Sequence, residues 1–349
     1  MKLLARTESW AFKTPFRISR GEMTALDVIV VELTSHDGLI GRGEAAGVDY
    51  DGETIASMLA QIDAVDADAE GGLSREQLLG ILPAGGARNA IDCALWDLEA
   101  ATRRIPVWQL LARRQPAALS TAFTIGIGDE AEVREKARSL AHWPLIKLKM
   151  DDRLHIDLAR IVHEEAPAAK LICDANQAWD INQLNALAPA LSDLGTALIE
   201  QPLPKNADSD LKHYNRAIAI AADESCTDRG SVARLSQFYD VVNIKLDKTG
   251  GLTEALAVAE AAKHHGMGVM VGCMAGTSLA MAPAFLVAQG AAFVDLDGPL
   301  LHTADRPGGF RYDNGAMYPF DALLWGGGAQ AEDSLAMADD AALDLRPGA

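Results

Sequence analysis

The sequence predicts an α/β chain in which an N-terminal α+β unit precedes a barrel of repeated strand–helix units. Three observations predict it. From about Ser120 onward, short apolar runs alternate with helical segments at a regular spacing, and eight such runs can be counted. The preceding residues have a different texture, with a β-rich hairpin followed by helical periodicity. The composition, 49% apolar with only 5% aromatic residues and 30 glycines in 349 positions, suits an Ala/Leu/Val-rich globular α/β protein. An open doubly wound sheet is the rival, and the lack of an early GxGxxG weighs against it.

In order along the chain, Asp27 to Ser35 reads as a strand, His36-Asp37-Gly38 as a turn, and Leu39 to Ala46 as the returning strand. Helices are predicted over Thr54 to Ala64 and over Arg88 to Ala101, where Ile91, Ala94, Leu95 and Leu98 share one face. This unit, residues 1–115, ends before the barrel domain, residues 116–309. The eight runs are Thr121–Ile125, Leu145–Met150, Leu171–Asp174, Ala197–Glu200, Ile218–Asp223, Val241–Lys245, Gly268–Val271 and Ala292–Asp295. Residues 310–349 offer strand over Phe310 to Tyr318, return toward the N-terminal unit, and end in an acidic, Ala-rich tail. Gly250-Gly251 reads as the turn opening a helix, and His264-His265 as its C-terminal end.

A formal charge of −18 argues against nucleic acid as a partner, since phosphate binding relies on clustered Lys and Arg. The four cysteines are widely separated with no CxxC pair, which fits a reducing compartment. Neither a signal-peptide run nor an apolar stretch of membrane-spanning length is found, so a cytoplasmic protein away from membranes is expected.

The chemistry-bearing residues cluster at the ends of the apolar runs: Lys147, Lys149, Asp174, Glu200, Asp223, Lys245 and Asp295. In a barrel the strand C-termini converge on one mouth. A single Asp after a strand is ordinarily a helix cap, but the set is another matter. Asp174, Glu200 and Asp223 are spaced by 26 and 23 residues, one strand–helix unit each, and so fall on consecutive strands. Three hard oxygen ligands without His or Cys suit Mg²⁺, with Mn²⁺ as the alternative. Lys147 and Lys149, at i and i+2, project from one face of their strand, and Lys245 comes from the far side of the mouth.

These residues carry a resemblance. Lys147-Leu148-Lys149, Asp174-Ala175-Asn176, Glu200-Gln201-Pro202, Ala222-Asp223-Glu224-Ser225 and Asn243 through Gly251 (NIKLDKTGG) resemble the muconate-lactonising branch of the enolase superfamily. Asp295-Leu296-Asp297-Gly298-Pro299 resembles the DxD element of its dipeptide epimerases of the L-Ala-D/L-Glu type. The resemblance implies a (β/α)7β-type modified TIM barrel with an N-terminal α+β capping domain. It further implies epimerisation of a dipeptide through an ene-diolate stabilised by Mg²⁺, service in peptidoglycan recycling, and a small-molecule substrate, with homo-oligomerisation left open. Asp174, Glu200 and Asp223 would hold the ion. Lys149 and Lys245, lowered in pKa by the ion and by each other, would act as acid and base, with Lys147 beside the substrate carboxylate. Asp295 and Asp297 would hold the dipeptide's ammonium. Asn176 would order a metal-bound water or a neighbouring carboxylate, and Asp247 and Glu224 would orient lysines.

Thr124 and Met274 resemble substrate-pocket positions, and flexible lids are expected near Thr14 to Met23 and Glu44 to Gly52, with Arg17, Arg20 and Tyr50 as readers of the substrate. Relatives acting on Ala-Glu carry an arginine in the first lid where Met23 stands here. A thioether cannot neutralise a carboxylate, so either Arg17 or Arg20 takes over or the second substrate residue is not Glu. Two other readings stay open: a muconate cycloisomerase or o-succinylbenzoate synthase-type lyase, and a non-catalytic metal-binding barrel.

Overall fold

The computed structural model describes residues 1–18, 21–65, 71–150 and 155–328. Three antiparallel strands open the chain: β1 (Lys2–Ile18), β2 (Gly21–Thr34) and β3 (Ile40–Ala45), paired in that order. The expected hairpin is β2–β3. The long β1 was not among the expected strands, for a physical reason: it lies at the sheet edge, and its polar positions such as Arg6 and Glu8 pair with each other on the outer side, so its apolar signal is diluted. Helix Ile55–Ala64 starts at the Thr54 cap, where Thr54 and Ser57 bond reciprocally.

Helix Gly86–Arg103 is buried along nearly its whole length because it packs on two sides. One side joins the capping sheet's own apolar core, and the other docks on the turn after residue 245. There Arg88 donates to the carbonyls of Thr249 (2.6 Å) and Gly250 (3.1 Å), and Asp92 accepts from the Thr253 N–H at 2.9 Å. The two glycines predicted to open a helix do more than turn. Both have positive φ, and a Cβ on Gly250 or Gly251 would lie 2.4 Å from Arg88 Nε or 2.5 Å from Asp92 Cβ, so only glycine lets this helix approach.

After the short strand β4 (Leu119–Ser120), the barrel is built from β5 (Phe123–Ile125), β6 (Leu145–Lys149), β7 (Lys170–Asp174), β8 (Thr196–Glu200), β9 (Ile220–Ala222), β10 (Val241–Ile244), β11 (Gly268–Val271) and β12 (Phe293–Val294). All neighbours are parallel and in sequence order, and the Ala122 N–H bonds the Val294 carbonyl at 2.8 Å to join first strand to last. Each predicted run coincides with one of these strands, with β7 and β8 starting one residue before the predicted run. Helices follow β5 through β11, the one after β8 being the 3₁₀ segment Lys205–His213, whereas β12 is followed only by the four residues Gly298–Leu301. The barrel is therefore of the (β/α)7β kind. The chain then forms the antiparallel pair β13 (Arg311–Asp313) and β14 (Ala316–Tyr318), and β14 pairs in turn with β4. It finally returns to the capping domain, where Gly326 N–H bonds Asp97 at 2.6 Å and Trp325 bonds the Cys93 carbonyl. The acidic tail, 329–349, lies outside the described residues. Among the described residues no helix is long and apolar enough to cross a membrane.

Inside the barrel, Ala122, Leu145, Ile172, Leu198, Ala221, Val241 and Met270 form one apolar floor. Successive side chains on a strand alternate, so the residues two further along each strand also point inward. Those are Thr124, Lys147, Asp174, Glu200, Asp223, Asn243 and Gly272.

Candidate active site

This second inward layer is where the site forms. Ligand atoms of Asp174, Glu200 and Asp223, from β7, β8 and the end of β9, all lie within 4.8 Å of one another, and the three residues are buried. The Lys147 ammonium sits among them, 3.0 Å from Asp174, 2.9 Å from Glu200 and 2.8 Å from Asp295. One step higher on the same strand, Lys149 donates to Asp174 Oδ2 at 2.7 Å. From the other side Lys245, directly after β10, donates to Asp223 Oδ2 at 2.6 Å. Strands β6 and β10 are four apart in an order of eight, so the two lysines stand across the mouth from each other.

The electrostatics follow from burial opposed by these pairings. Burial pushes the Asp174 carboxyl up, but Lys147 and Lys149 outweigh it and hold it well below the carboxylate range. Glu200 is pushed up to about 8 by burial and by the like charge of Asp174. For Lys245, burial alone would lower the ammonium, yet Asp223 outweighs it and, among the protein groups alone, the balance is raised. Glu200 Oε2 is buried and, although close to Lys147, has no hydrogen-bond partner among the described residues. A buried carboxylate oxygen whose close contact is an ion pair rather than a hydrogen bond, among three acids, fits a hard divalent cation. The charge balance agrees. Six carboxyl groups (Asp174, Glu200, Asp223, Glu224, Asp295, Asp297) face four ammonium groups (Lys147, Lys149, Lys245, Lys248), an excess of acidic groups in keeping with the upward push on Glu200 and Asp297.

Above this layer lies a cavity of about 950 Å³ including space open to solvent. Thr124, Asp295 and Asp297 line one side, Met274 comes from the loop after β11, Asn176 and Glu224 from the loops after β7 and β9, and Met23 and Tyr50 reach in from the capping domain. Asp297 accepts from the Thr124 N–H at 2.6 Å and Asp295 from the Thr124 hydroxyl at 3.3 Å. Burial and the neighbouring Asp295 push Asp297 up to about 7. Asn176 acts on Asp174 through its backbone, its N–H bonding Oδ1 at 3.0 Å. Arg20 lies outside the described residues, as does the side chain of Arg17.

Two expectations need correction. Among the described residues Asp247 bonds no lysine; its Oδ1 accepts the backbone N–H groups of Ala46 (3.1 Å) and Gly47 (2.8 Å), because the short helix Leu246–Thr249 turns it toward the capping domain. Glu224 also makes no hydrogen bond to a lysine among the described residues, and its buried Oε2 has no partner.

Sequence reasoning missed three residues that shape the site. Lys248 is buried and donates to Asp223 Oδ1 at 2.6 Å, to the Asp223 carbonyl and to the Asn243 carbonyl. Asn243 donates to Glu200 Oε1 at 2.8 Å. Gln201 accepts from the Asp223 and Ser225 N–H groups at 2.9 and 3.2 Å, fixing the backbone of the loop that carries Asp223. Asn243 could have been found, since it is two residues before Lys245 on the same inward face. Lys248 could not, because its direction depends on the helical turn that follows the strand.

Fold and site together define a class, the barrel enzymes of the enolase superfamily. Within it the chain belongs to the mandelate racemase / muconate lactonizing enzyme family: residues 1–112 match the family's N-terminal domain and residues 130–323 match the enolase C-terminal domain-like model. A relative, the L-Ala-D/L-Glu epimerase of Escherichia coli (strain K12), is 41% identical over 313 residues, covering 89% of this chain and 97% of the relative. A solved enolase family member from Agrobacterium tumefaciens with homology to dipeptide epimerases, bound to sodium and L-Ala-L-Glu, superposes with a TM-score of 0.88. It is 41% identical, covering 93% of this chain and 99% of the other. The dipeptide epimerase from Methylococcus capsulatus, complexed with Mg and L-Arg-D-Lys, has a TM-score of 0.84 at 31% identity, covering 92% and 97%. Relatives of this kind are epimerases and racemases, and the chain is accordingly an isomerase.

Proposed function

We propose that this protein is a divalent-metal-dependent dipeptide epimerase that inverts the α-carbon of the C-terminal residue by proton transfer between two lysines. The observation that carries it is the placement of Lys149 and Lys245 across one cavity, with three clustered carboxylates between them and the Asp295/Asp297 pair on its wall. The relatives named for dipeptide epimerisation support the same reading.

Asp174, Glu200 and Asp223 would hold Mg²⁺ or Mn²⁺, which supplies positive charge to a substrate carboxylate and so acidifies the adjacent C–H. Lys147, held among Asp174, Glu200 and Asp295, adds a fixed positive charge beside that carboxylate as negative charge develops on it. Either Lys149 or Lys245, in its neutral form, takes the α-proton from its own face, and the opposite ammonium returns one to the other face. The enantiomer bound decides which starts. Asp295 and Asp297 form the site for the dipeptide's ammonium: Asp297, pushed up by burial and a like charge, gains an opposite charge when the substrate enters. That pair favours an amino-bearing substrate over the lyase reading. Met23, Leu26 and Leu301 give the cavity an apolar rim, so uncharged C-terminal side chains belong in the test beside Glu. A cytoplasmic setting is part of the proposal and fits the four unpaired cysteines.

The test is incubation with Mg²⁺ and a dipeptide panel, from Ala-Glu to Ala-Leu and Ala-Phe, in D₂O. NMR should show loss of the C-terminal residue's α-proton signal and the appearance of the epimer. If no member of the panel exchanges that proton, the proposal is wrong.

A further inference from the structure

We infer that Asp247 is a positioning residue that latches the capping-domain loop over residues 44–52 onto the strand end carrying Lys245. The cavity wall and that lysine are thereby held in one fixed relation. The role in turnover rests on the function proposed above; the latch itself does not.

Asp247 lies two residues beyond Lys245 and is buried. Its Oδ1 accepts from two consecutive backbone N–H groups, those of Ala46 and Gly47. Both donors belong to the capping domain, so one barrel carboxylate is clasped by the other domain. Ala46, Gly47 and Tyr50 line the same cavity as Lys245.

The loop's flanks are secured as well. Glu44 accepts from the Thr277 N–H at 2.7 Å and pairs with Arg306 at 2.6 Å, while Glu53 accepts from the N–H groups of Val48 (2.8 Å) and Gly86 (2.9 Å). Lifting the loop would strip buried N–H groups of their acceptors, and a buried donor left unsatisfied is costly. Of the two segments the sequence marks as flexible lids, this one is a fixed wall. Asp247 is the tie that runs from it to the turn after β10.

A competing role is electrostatic, with Asp247 tuning Lys245 by its charge. Asp247→Asn separates the two, because the amide oxygen still accepts both N–H groups while the charge is gone.

Hydrogen exchange read by mass spectrometry on the full-length protein, without substrate, tests the latch. Asp247→Ala should speed exchange in peptides spanning 44–53 by about tenfold or more, with strands β7 and β8 unchanged, and Asp247→Asn should stay within about twofold of the unmodified protein. With a dipeptide that is turned over, Asp247→Ala should raise KM about tenfold with a smaller change in kcat, and Asn should restore KM. Unchanged loop protection in Asp247→Ala overturns the latch. An Asn variant as unprotected as Ala, or one that keeps protection but shifts the pH–rate profile of Lys245, overturns it too. Should the Ala variant fail to fold, rapid exchange of the Ala46 and Gly47 amides in the unmodified protein has the same force. The exchange arm needs no activity, so its failure is distinct from failure of the epimerase assignment.

Discussion

The barrel interior has two layers that share strands, direction and burial, and differ in everything else. Ile172 and Asp174 are both 0% exposed, as are Leu198 and Glu200, although each pair is separated by only two residues, roughly 6.6 Å along a strand. Strand geometry therefore does not decide which layer is chemical. Compensation does. Floor side chains need only fill space against one another, whereas the upper layer is tolerable because its charges sit beside opposite charges and donors: Lys147 with three carboxylates, Asp223 with Lys245 and Lys248, Glu200 with Lys147 and Asn243. Removing a floor residue leaves a hole. Removing an upper one leaves a charge without its counterpart, in a place where a substrate can exploit it.

That contrast can be broken by substitution. The largest effect is expected at the proton carriers: Lys149→Ala and Lys245→Ala should each lower kcat for epimerisation by about 10³-fold or more, followed by chiral chromatography of the product. Persistent turnover in either would reduce that lysine to charge packing. In the floor, Leu198→Ala should cost about 2–5 kcal/mol in denaturant unfolding. Its kcat per folded molecule should stay close to that of the parent, and a large loss of kcat would mean the layers are not separable. Between the two, Asn243→Ala should weaken Mg²⁺ binding by about 10–100-fold in calorimetry, because Glu200 loses its neutral donor. No change in affinity would make Asn243 part of the packing. The smallest effect is expected at the rim, where Met23→Arg should shift kcat/KM toward Ala-Glu over Ala-Leu by about tenfold, since a guanidinium can pair with the side-chain carboxylate. An unchanged ratio would show that this position does not read the second residue.

Much of the site was legible because a barrel converts spacing into convergence. Asp174, Glu200 and Asp223, one unit apart in sequence, could be placed at one mouth without coordinates, and Lys147 and Lys149 could be put on one face by the period of a strand. The eight strands were found for a similar reason, since each is a local apolar run. What escaped depended on partners far away in the chain. Strand β1 was hidden by its polar edge. Asp247 was read by its nearness to Lys245, but its acceptors' partners, Ala46 and Gly47, are about two hundred residues earlier. Lys248 points at Asp223 only because a helical turn follows β10.

The sequence by itself determined the repeat, the inward positions and the chemical character of the mouth, because alternation and spacing are properties of the local backbone. The tertiary structure decided which of the buried charges pair, that Asp223 outweighs burial in setting the charge of Lys245 among its protein neighbours, and that Asp247 faces the backbone of the loop after β3. Those outcomes depend on distances of a few ångströms between segments remote in sequence, where the Coulomb energy and the cost of an unsatisfied group change steeply, and no pattern along the chain encodes them.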